Sequence, residues 1–263
     1  MNRTPTISTP GGNPWLLRPQ PRPRAAVRLF CLAHAGGSAW MYRGWPALVP
    51  EGVEVCAVQL PGHGNRVGEP GIAEFAPLLA QLAKAIEPEL DRPFALFGHS
   101  LGALLAFELA RWSVETLEQA PVQLFVSGHN APHLPETEDG LTGLDDAAVI
   151  ERLRALGCTP AAVLENGELM ELMLPAIRAD FAVCESYAHR AGPPLPCPLS
   201  ALAGTDDPRT DRAGVEAWRR HTSGPFAVRW FPGDHFFVAL QERILVQMIA
   251  AELAGARGGF AGL

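Results

Sequence analysis

The chain has 263 residues, 48% of them hydrophobic, and a formal net charge of -7 at pH 7. That length and apolar content fit one α/β unit with a large core and exclude a disordered chain. The acidic balance argues against nucleic acid or an anionic membrane as the main partner, and no apolar run is long enough to span a bilayer.

The opening stretch, MNRTPTISTPGGNPWLLRPQPRPR, lacks the apolar core of a secretory signal. Its prolines and glycines predict an extended, partly disordered lead-in up to Pro23, followed by a single domain over residues 24–263. Cys31, Cys56, Cys158, Cys184 and Cys197 form no C-x-x-C pair. They read as free thiols of a chain in the reducing cytoplasm. No His/Cys cluster has metal-ligand spacing, so no metal is expected.

Apolar runs at Val27 to Ala33, Val53 to Leu60, Phe94 to Phe97, Val122 to Ser127, Leu199 to Ala203 and Phe226 to Phe231 predict strands. Helical patterns lie between them, notably Phe75 to Leu90, Leu101 to Ser113, Gly214 to His221 and Arg243 to Ala254. Alternation of this kind predicts an α/β fold, a mostly parallel sheet covered on both faces by helices.

Residues 130–195 break the rhythm. Asp145 to Leu156 predicts a helix ending at Gly157, and Thr159-Pro160 supplies a cap and first-turn proline for another. Leu169 to Tyr187 is apolar on more than one side, and Pro175 is expected to kink it or start a turn. The segment reads either as ordinary helical core or as an inserted helical lid over the active serine. Its position between two sheet strands favours the lid, with Met170 and Met173, together with Phe236, as candidates to line an acyl channel.

The chemistry starts at Gly98-His99-Ser100-Leu101-Gly102, a G-x-S-x-G between a strand and a helix. In that setting the pentapeptide is a nucleophile elbow, a turn so sharp that the serine adopts strained dihedrals. The glycines let strand and helix approach, and the helix N-terminus offers free N–H groups to a developing negative charge. Ser100 is therefore the candidate nucleophile.

A serine nucleophile needs a base, an acid to orient it and an oxyanion hole. In this fold the chain order is Ser, then Asp or Glu, then His. After the strand Leu199 to Ala203 comes Gly204-Thr205-Asp206-Asp207-Pro208. Asp207 is the preferred acid and Asp206 the alternative. His235, in the loop after the strand Phe226 to Phe231, is the candidate base. His99 lies inside the elbow and should point elsewhere, and His34 precedes the nucleophile. His63, His129, His133, His189 and His221 read as solvated or structural. One oxyanion donor is the N–H of Leu101. The loop His34-Ala35-Gly36-Gly37-Ser38 follows an early strand, and the second donor is assigned there, to Ala35.

These residues resemble a known family, the type II thioesterases that accompany modular polyketide and nonribosomal peptide synthetases. The likeness runs from about Leu29 to about Ala250. It rests on HAGGSAWMY with Trp45 beyond it, VQLPGHGNR, FGHSLGALLAFELA, LPAIRADFAVCESY, AGTDDP and GDHFFV. The fourth of these, inside the predicted lid, is the most specific. The chain departs from the family where an Arg often follows Pro-Gly; His63-Gly64 stands there, with Arg66 beyond. The resemblance implies an α/β-hydrolase fold and a cytoplasmic, monomeric hydrolase of acyl thioesters. Its substrates would ride on the phosphopantetheine arm of acyl or peptidyl carrier proteins, so no cofactor of its own is implied. Such enzymes clear stalled or wrongly loaded acyl groups. Carrier proteins of these systems are acidic, so an acidic chain needs a local basic patch; Arg178, Arg190 and Arg43 are candidates. The competing readings are a general carboxylesterase or lipase with the same triad, and a non-catalytic binding protein on a hydrolase scaffold.

Overall fold

The computed structural model describes residues 12–135, 140–156 and 161–258. Its centre is a seven-stranded sheet in the order β1-β3-β2-β4-β5-β6-β7 among the described residues. The strands are β1 (Leu16–Leu17), β2 (Val27–Leu32), β3 (Val53–Val58), β4 (Phe94–His99), β5 (Gln123–Ser127), β6 (Leu199–Gly204) and β7 (Phe226–Phe231). All neighbours pair in parallel except β1, which runs antiparallel to β3.

The parallel strands β2 to β6 are buried at every position, as expected of strands covered on both faces. Alternate residues feed two different cores. Phe30 and Leu32 of β2 pack with α1 (Phe75–Ile86) and α2 (Leu101–Leu117) on one side. Val27, Leu29 and Cys31 pack on the other side, with Tyr42, Trp45 and the C-terminal helix that begins at Glu242. Of the cysteines, Cys31, Cys56 and Cys197 are buried free thiols, and burial pushes the Cys56 and Cys197 thiols up to about 12. Cys158 lies outside the described residues.

The expected strands and the α/β architecture are present, with two departures. The first is β1. Residues 12–23 are docked rather than extended and disordered: Trp15 is buried, β1 pairs with β3, and the Arg22 guanidinium donates to the carbonyls of Pro46, Pro50 and Val53. A two-residue strand is too short to carry a periodicity that the sequence could show. The earlier part of the predicted lead-in, residues 1–11, lies outside the described residues.

The second departure is that Pro175, expected to kink its helix or start a turn, starts no turn. α5 (Gly167–Glu185) runs through it. Pro175 and Glu171, whose carbonyl loses its partner to the proline ring, are both exposed. Water can satisfy that carbonyl, which removes the main penalty of an interior proline.

Between β5 and β6 the chain inserts α3 (Asp146–Leu156), α4 (Ala161–Leu164) and α5. The expected cap at Thr159-Pro160 lies outside the described residues. Asp145 caps α3 by accepting the Ala148 N–H at 2.8 Å, and Asn166 caps α5 by accepting from Leu169 at 3.1 Å. The insertion has its own small core of Val149, Leu153, Met170, Leu174, Ile177 and Phe181, to which Ala35 of the main body is added. It is pinned at its far end by Tyr187, whose hydroxyl donates to Glu108 of α2 at 2.9 Å.

The strand order reverses at β2, with β3 on one side and β4 on the other. Ligand sites of open parallel sheets form at such a point, beyond the C-terminal ends of the strands. The loop after β2 and the turn after β4 both emerge there, with Leu32 paired to Gly98 at the last register position.

Candidate active site

Ser100 sits between β4 and α2 with φ 57 and ψ -119. For a residue with a Cβ that region costs of the order of 1–3 kcal/mol, and the surroundings must hold it. They do so tightly. A methyl at Gly98 would run into the Gly102 carbonyl, and one at Gly102 would run into the Leu32 carbonyl. The Ser100 N–H donates to Ser127 O of β5 at 2.8 Å. The motif's glycines thus let α2 start directly against the sheet, and its first N–H groups are left for a ligand.

His235 follows β7 and is 3% exposed. Its Nδ1 lies 2.8 Å from Oδ2 of Asp207, in the loop after β6. The second oxygen of Asp207 accepts the Arg209 N–H at 2.9 Å. Burial pushes the Asp207 carboxyl up, but the hydrogen bonds and charges of His235 and Arg209 outweigh it and hold the group below its ordinary value. Asp207 is therefore a buried carboxylate paired with the imidazole. Asp206 is exposed, and its carboxylate accepts from the Thr205 hydroxyl at 3.0 Å. The two aspartates that the sequence left open are separated by this contact.

The ring's other nitrogen, Nε2, lies 3.5 Å from the Arg209 guanidinium, a permanent donor. With Nδ1–H directed at Asp207, the tautomer assigned from these partners leaves Nε2 as an acceptor. That is the form that a general base requires.

Two further histidines belong to the same neighbourhood. His99 does not point away: its ring centroid is 5.0 Å from that of His235, and its Nδ1 is 2.9 Å from the Ser127 hydroxyl. His34 packs edge-on to Phe236 at 5.2 Å and to His99 at 6.1 Å. Burial lowers His99 well below the ordinary histidine value and His34 to about 4. Both are neutral near pH 7, so they wall the base without adding charge. Gly128 at φ +62 makes room for this stack, since a Cβ there would lie 3.2 Å from His235 Cε1.

In the loop after β2 the Gly37 N–H closes a turn onto His34 O at 2.9 Å, and the Gly36 N–H goes to Asp180 at 2.7 Å. Among the described residues no backbone partner is found for the N–H groups of His34, Ala35 and Ser38, so Ala35 is one of the loop's candidate donors.

The proposed channel residues are not gathered in one place. Phe236 stands against His235, with ring centroids 5.1 Å apart. Met170 lines a groove of about 740 Å³ on the insertion, with Ile150, Leu164 and Leu174 as its apolar wall and Asp146 and Arg178 at its polar side. Met173 is not among that groove's lining residues and packs against the insertion's core instead. Met170 and Met173 are three apart on α5, but only one of them turns to the groove.

The basic candidates are mostly neutralised. Arg178 pairs with Asp146 at 2.6 Å and Arg190 with Glu115 at 2.7 Å. Arg43 lies over the exposed Trp40 ring at 5.6 Å.

Sequence reasoning missed Asp180 and left His63 open between solvated and structural; the structure gives the second. Both are buried, with His63 Nε2 2.9 Å from Asp180 Oδ2. The available signal was an aspartate set directly between Ala179 and Phe181 in the apolar stretch Leu169 to Tyr187, which also holds Glu171 and Glu185.

The thioesterase-domain family model matches residues 27–253. The chain belongs to the thioesterase family. It is 41% identical over 252 residues to the Brevibacillus parabrevis protein named linear gramicidin dehydrogenase LgrE, covering 95% of this chain and 96% of that one. The dehydrogenase of that name is said of that protein alone. The Streptomyces venezuelae thioesterase PikA5 is 41% identical over 246 residues, covering 93% and 87% of the two chains. Among solved structures, the type II thioesterase BorB from the borrelidin biosynthetic cluster superposes with a TM-score of 0.83 at 39% identity, covering 91% of this chain and 97% of that one. The likeness to type II thioesterases is thus present in sequence and in fold, and the thioesterase is a thioester hydrolase of the α/β-hydrolase class. Among the described residues of the thioesterase, no helix is long and apolar enough to cross a membrane.

Proposed function

We propose that this thioesterase removes stalled or wrongly loaded acyl groups from the phosphopantetheine arm of carrier proteins in a modular polyketide or nonribosomal peptide system. It would act as a cytoplasmic monomer without a cofactor of its own, through a Ser100-His235-Asp207 triad. The observation that carries the chemistry is the buried 2.8 Å contact of His235 with Asp207, with His99 of the elbow packed against the same imidazole and Ser100, next to it in the chain, held at positive φ. The pathway assignment is supported by the relatives named for gramicidin, by the PikA5 thioesterase and by the borrelidin-cluster structure.

In the proposed reaction His235 Nε2 takes the proton of the Ser100 hydroxyl as Oγ attacks the thioester carbonyl carbon. The new oxyanion is bound by the N–H groups of Ala35 and Leu101. Asp207 stabilises the imidazolium without taking its proton. The tetrahedral species collapses, the carbon–sulfur bond breaks, and the imidazolium protonates the departing pantetheine sulfur. A free thiol has a pKa of about 8.5, so sulfur leaves far more readily than an amine. Water then attacks the Ser100 ester, giving its proton to His235, and the acid is released as Ser100 regains a proton.

The insertion is read as a lid. Its groove is roomy enough for an acyl chain or part of the pantetheine arm, and its core incorporates Ala35 of the oxyanion loop.

A matched pair of substrates tests the substrate class: one acyl group presented as a thioester on a carrier protein and as an oxygen ester of a small alcohol. The carrier thioester should be cleaved at least about 100-fold faster in kcat/KM, a difference of about 2.7 kcal/mol. Equal or faster cleavage of the oxygen ester would make the protein a general esterase.

A further inference from the structure

One oxygen of a buried carboxylate joins three separate parts of the chain. Asp180, on α5, is 4% exposed. Its Oδ2 accepts the Gly36 N–H of the loop after β2 at 2.7 Å and stands 2.9 Å from Nε2 of His63 in the loop after β3. The fit around it is close. A Cβ at Gly36 would lie 3.2 Å from Ile177, and one at Gly62 would lie 3.1 Å from Ala176. Burial lowers the basicity of His63, but the Asp180 carboxylate and the Pro61 carbonyl outweigh it and raise the ring above the ordinary histidine value. The carboxylate thus faces an imidazole whose proton affinity it raises.

An apolar side chain would pack α5 onto these loops at less cost, because a buried carboxylate must be compensated. What only the carboxylate supplies is a strong acceptor for one particular N–H. We propose that Asp180 is a positioning residue for the thioester reaction. It commits the Gly36 N–H inward and so leaves the neighbouring Ala35 N–H as the donor offered to the oxyanion, with His63 fixing the carboxylate. The inference rests on the oxyanion hole of the proposed function and adds that the insertion, not the sheet alone, sets its geometry.

The test compares wild type with Asp180→Ala, Asp180→Asn and His63→Gln. The readouts are kcat and KM on an acyl thioester of N-acetylcysteamine, labelling of Ser100 by a fluorophosphonate, and hydrogen exchange at the Gly36 amide. Displacing one oxyanion donor should cost about 30- to 100-fold in kcat for Asp180→Ala, with KM within about threefold, and labelling should slow in parallel. Asp180→Asn keeps an oxygen for the Gly36 N–H and should recover to within about tenfold of wild type, with Gly36 exchanging faster because the bond is no longer charge-assisted. His63→Gln should fall between them.

If Asp180→Ala is folded and its kcat is within threefold of wild type, or its loss lies wholly in KM, the positioning role is wrong while the thioesterase reading stands. If Asp180→Ala does not fold, Asp180→Asn decides, and unchanged Gly36 exchange and kcat there overturn the proposal. A wild-type chain that neither hydrolyses the thioester nor labels at Ser100 overturns the proposed function and this inference with it.

Discussion

Ser100→Ala is expected to lower kcat/KM on acyl-carrier substrates by about 10⁴-fold or more, with the fold unchanged. The hydroxyl is the only atom group removed, and in serine hydrolases the nucleophile and base act as a unit, so losing one removes nearly all covalent catalysis. What remains is the rate available from binding and from the oxyanion donors. Stability should hold or rise. Ser100 keeps φ 57 whatever its side chain, and its backbone bond to Ser127 does not involve the hydroxyl. Steady-state hydrolysis of an acyl-loaded carrier, with a thermal melt alongside, checks both halves. A variant that melts with wild type yet turns over normally would mean that the carbonyl is attacked by another group.

The second large effect is expected at the acid. Asp207→Asn should cost about 10³- to 10⁴-fold in kcat, while Asp206→Asn should stay within about threefold of wild type. The asymmetry follows from the contacts. Asp207 holds His235 Nδ1 at 2.8 Å inside the protein, whereas Asp206 sits in solvent on a threonine hydroxyl. An amide at 207 can present its NH₂ to Nδ1, favouring the tautomer in which Nε2 carries the proton and cannot act as a base. It also removes the negative charge that stabilises the imidazolium. Rates for the two variants on one carrier substrate measure this directly. Equal losses would show that the 206–207 turn as a whole, rather than one carboxylate, supports the base.

The parts of the site legible in the sequence were those carried by local patterning. The run Phe94 to Phe97, the glycines at 98 and 102 and the helical spacing after Leu101 placed a strand, a sharp turn and a helix, and all three are there. The pairing of Asp207 with His235 was legible because each follows a predicted strand, and parallel strands bring their C-terminal ends to one edge. The sequence preferred Asp207 and kept Asp206 as the alternative; the coordinates add which of the two faces His235.

The long-range contacts were not legible. Asp180 and Gly36 are 144 residues apart, and nothing in either local pattern announces the bond between them. His99 was misjudged for the same reason: its position inside a turn is a local fact, but its packing against His235 is tertiary. The docked segment 12–23 was missed because its order comes from partners on β3 and beyond, such as the Trp15 carbonyl accepting from Gln59, and not from its own proline-rich composition. Met170 and Met173 show a finer limit. Helical spacing puts them on neighbouring turns, yet only the packed structure decides which one faces the groove.

The most direct test of the central claim is to catch the acyl group on the enzyme. Wild type mixed with an acyl-loaded carrier protein, quenched in acid within the first turnover and digested, should yield the peptide containing Ser100 heavier by the acyl mass. The same adduct should be absent from Ser100→Ala. Turnover with no adduct at Ser100 in the first turnover, or an acyl group found on another side chain that forms and decays at the rate of hydrolysis, would contradict the account.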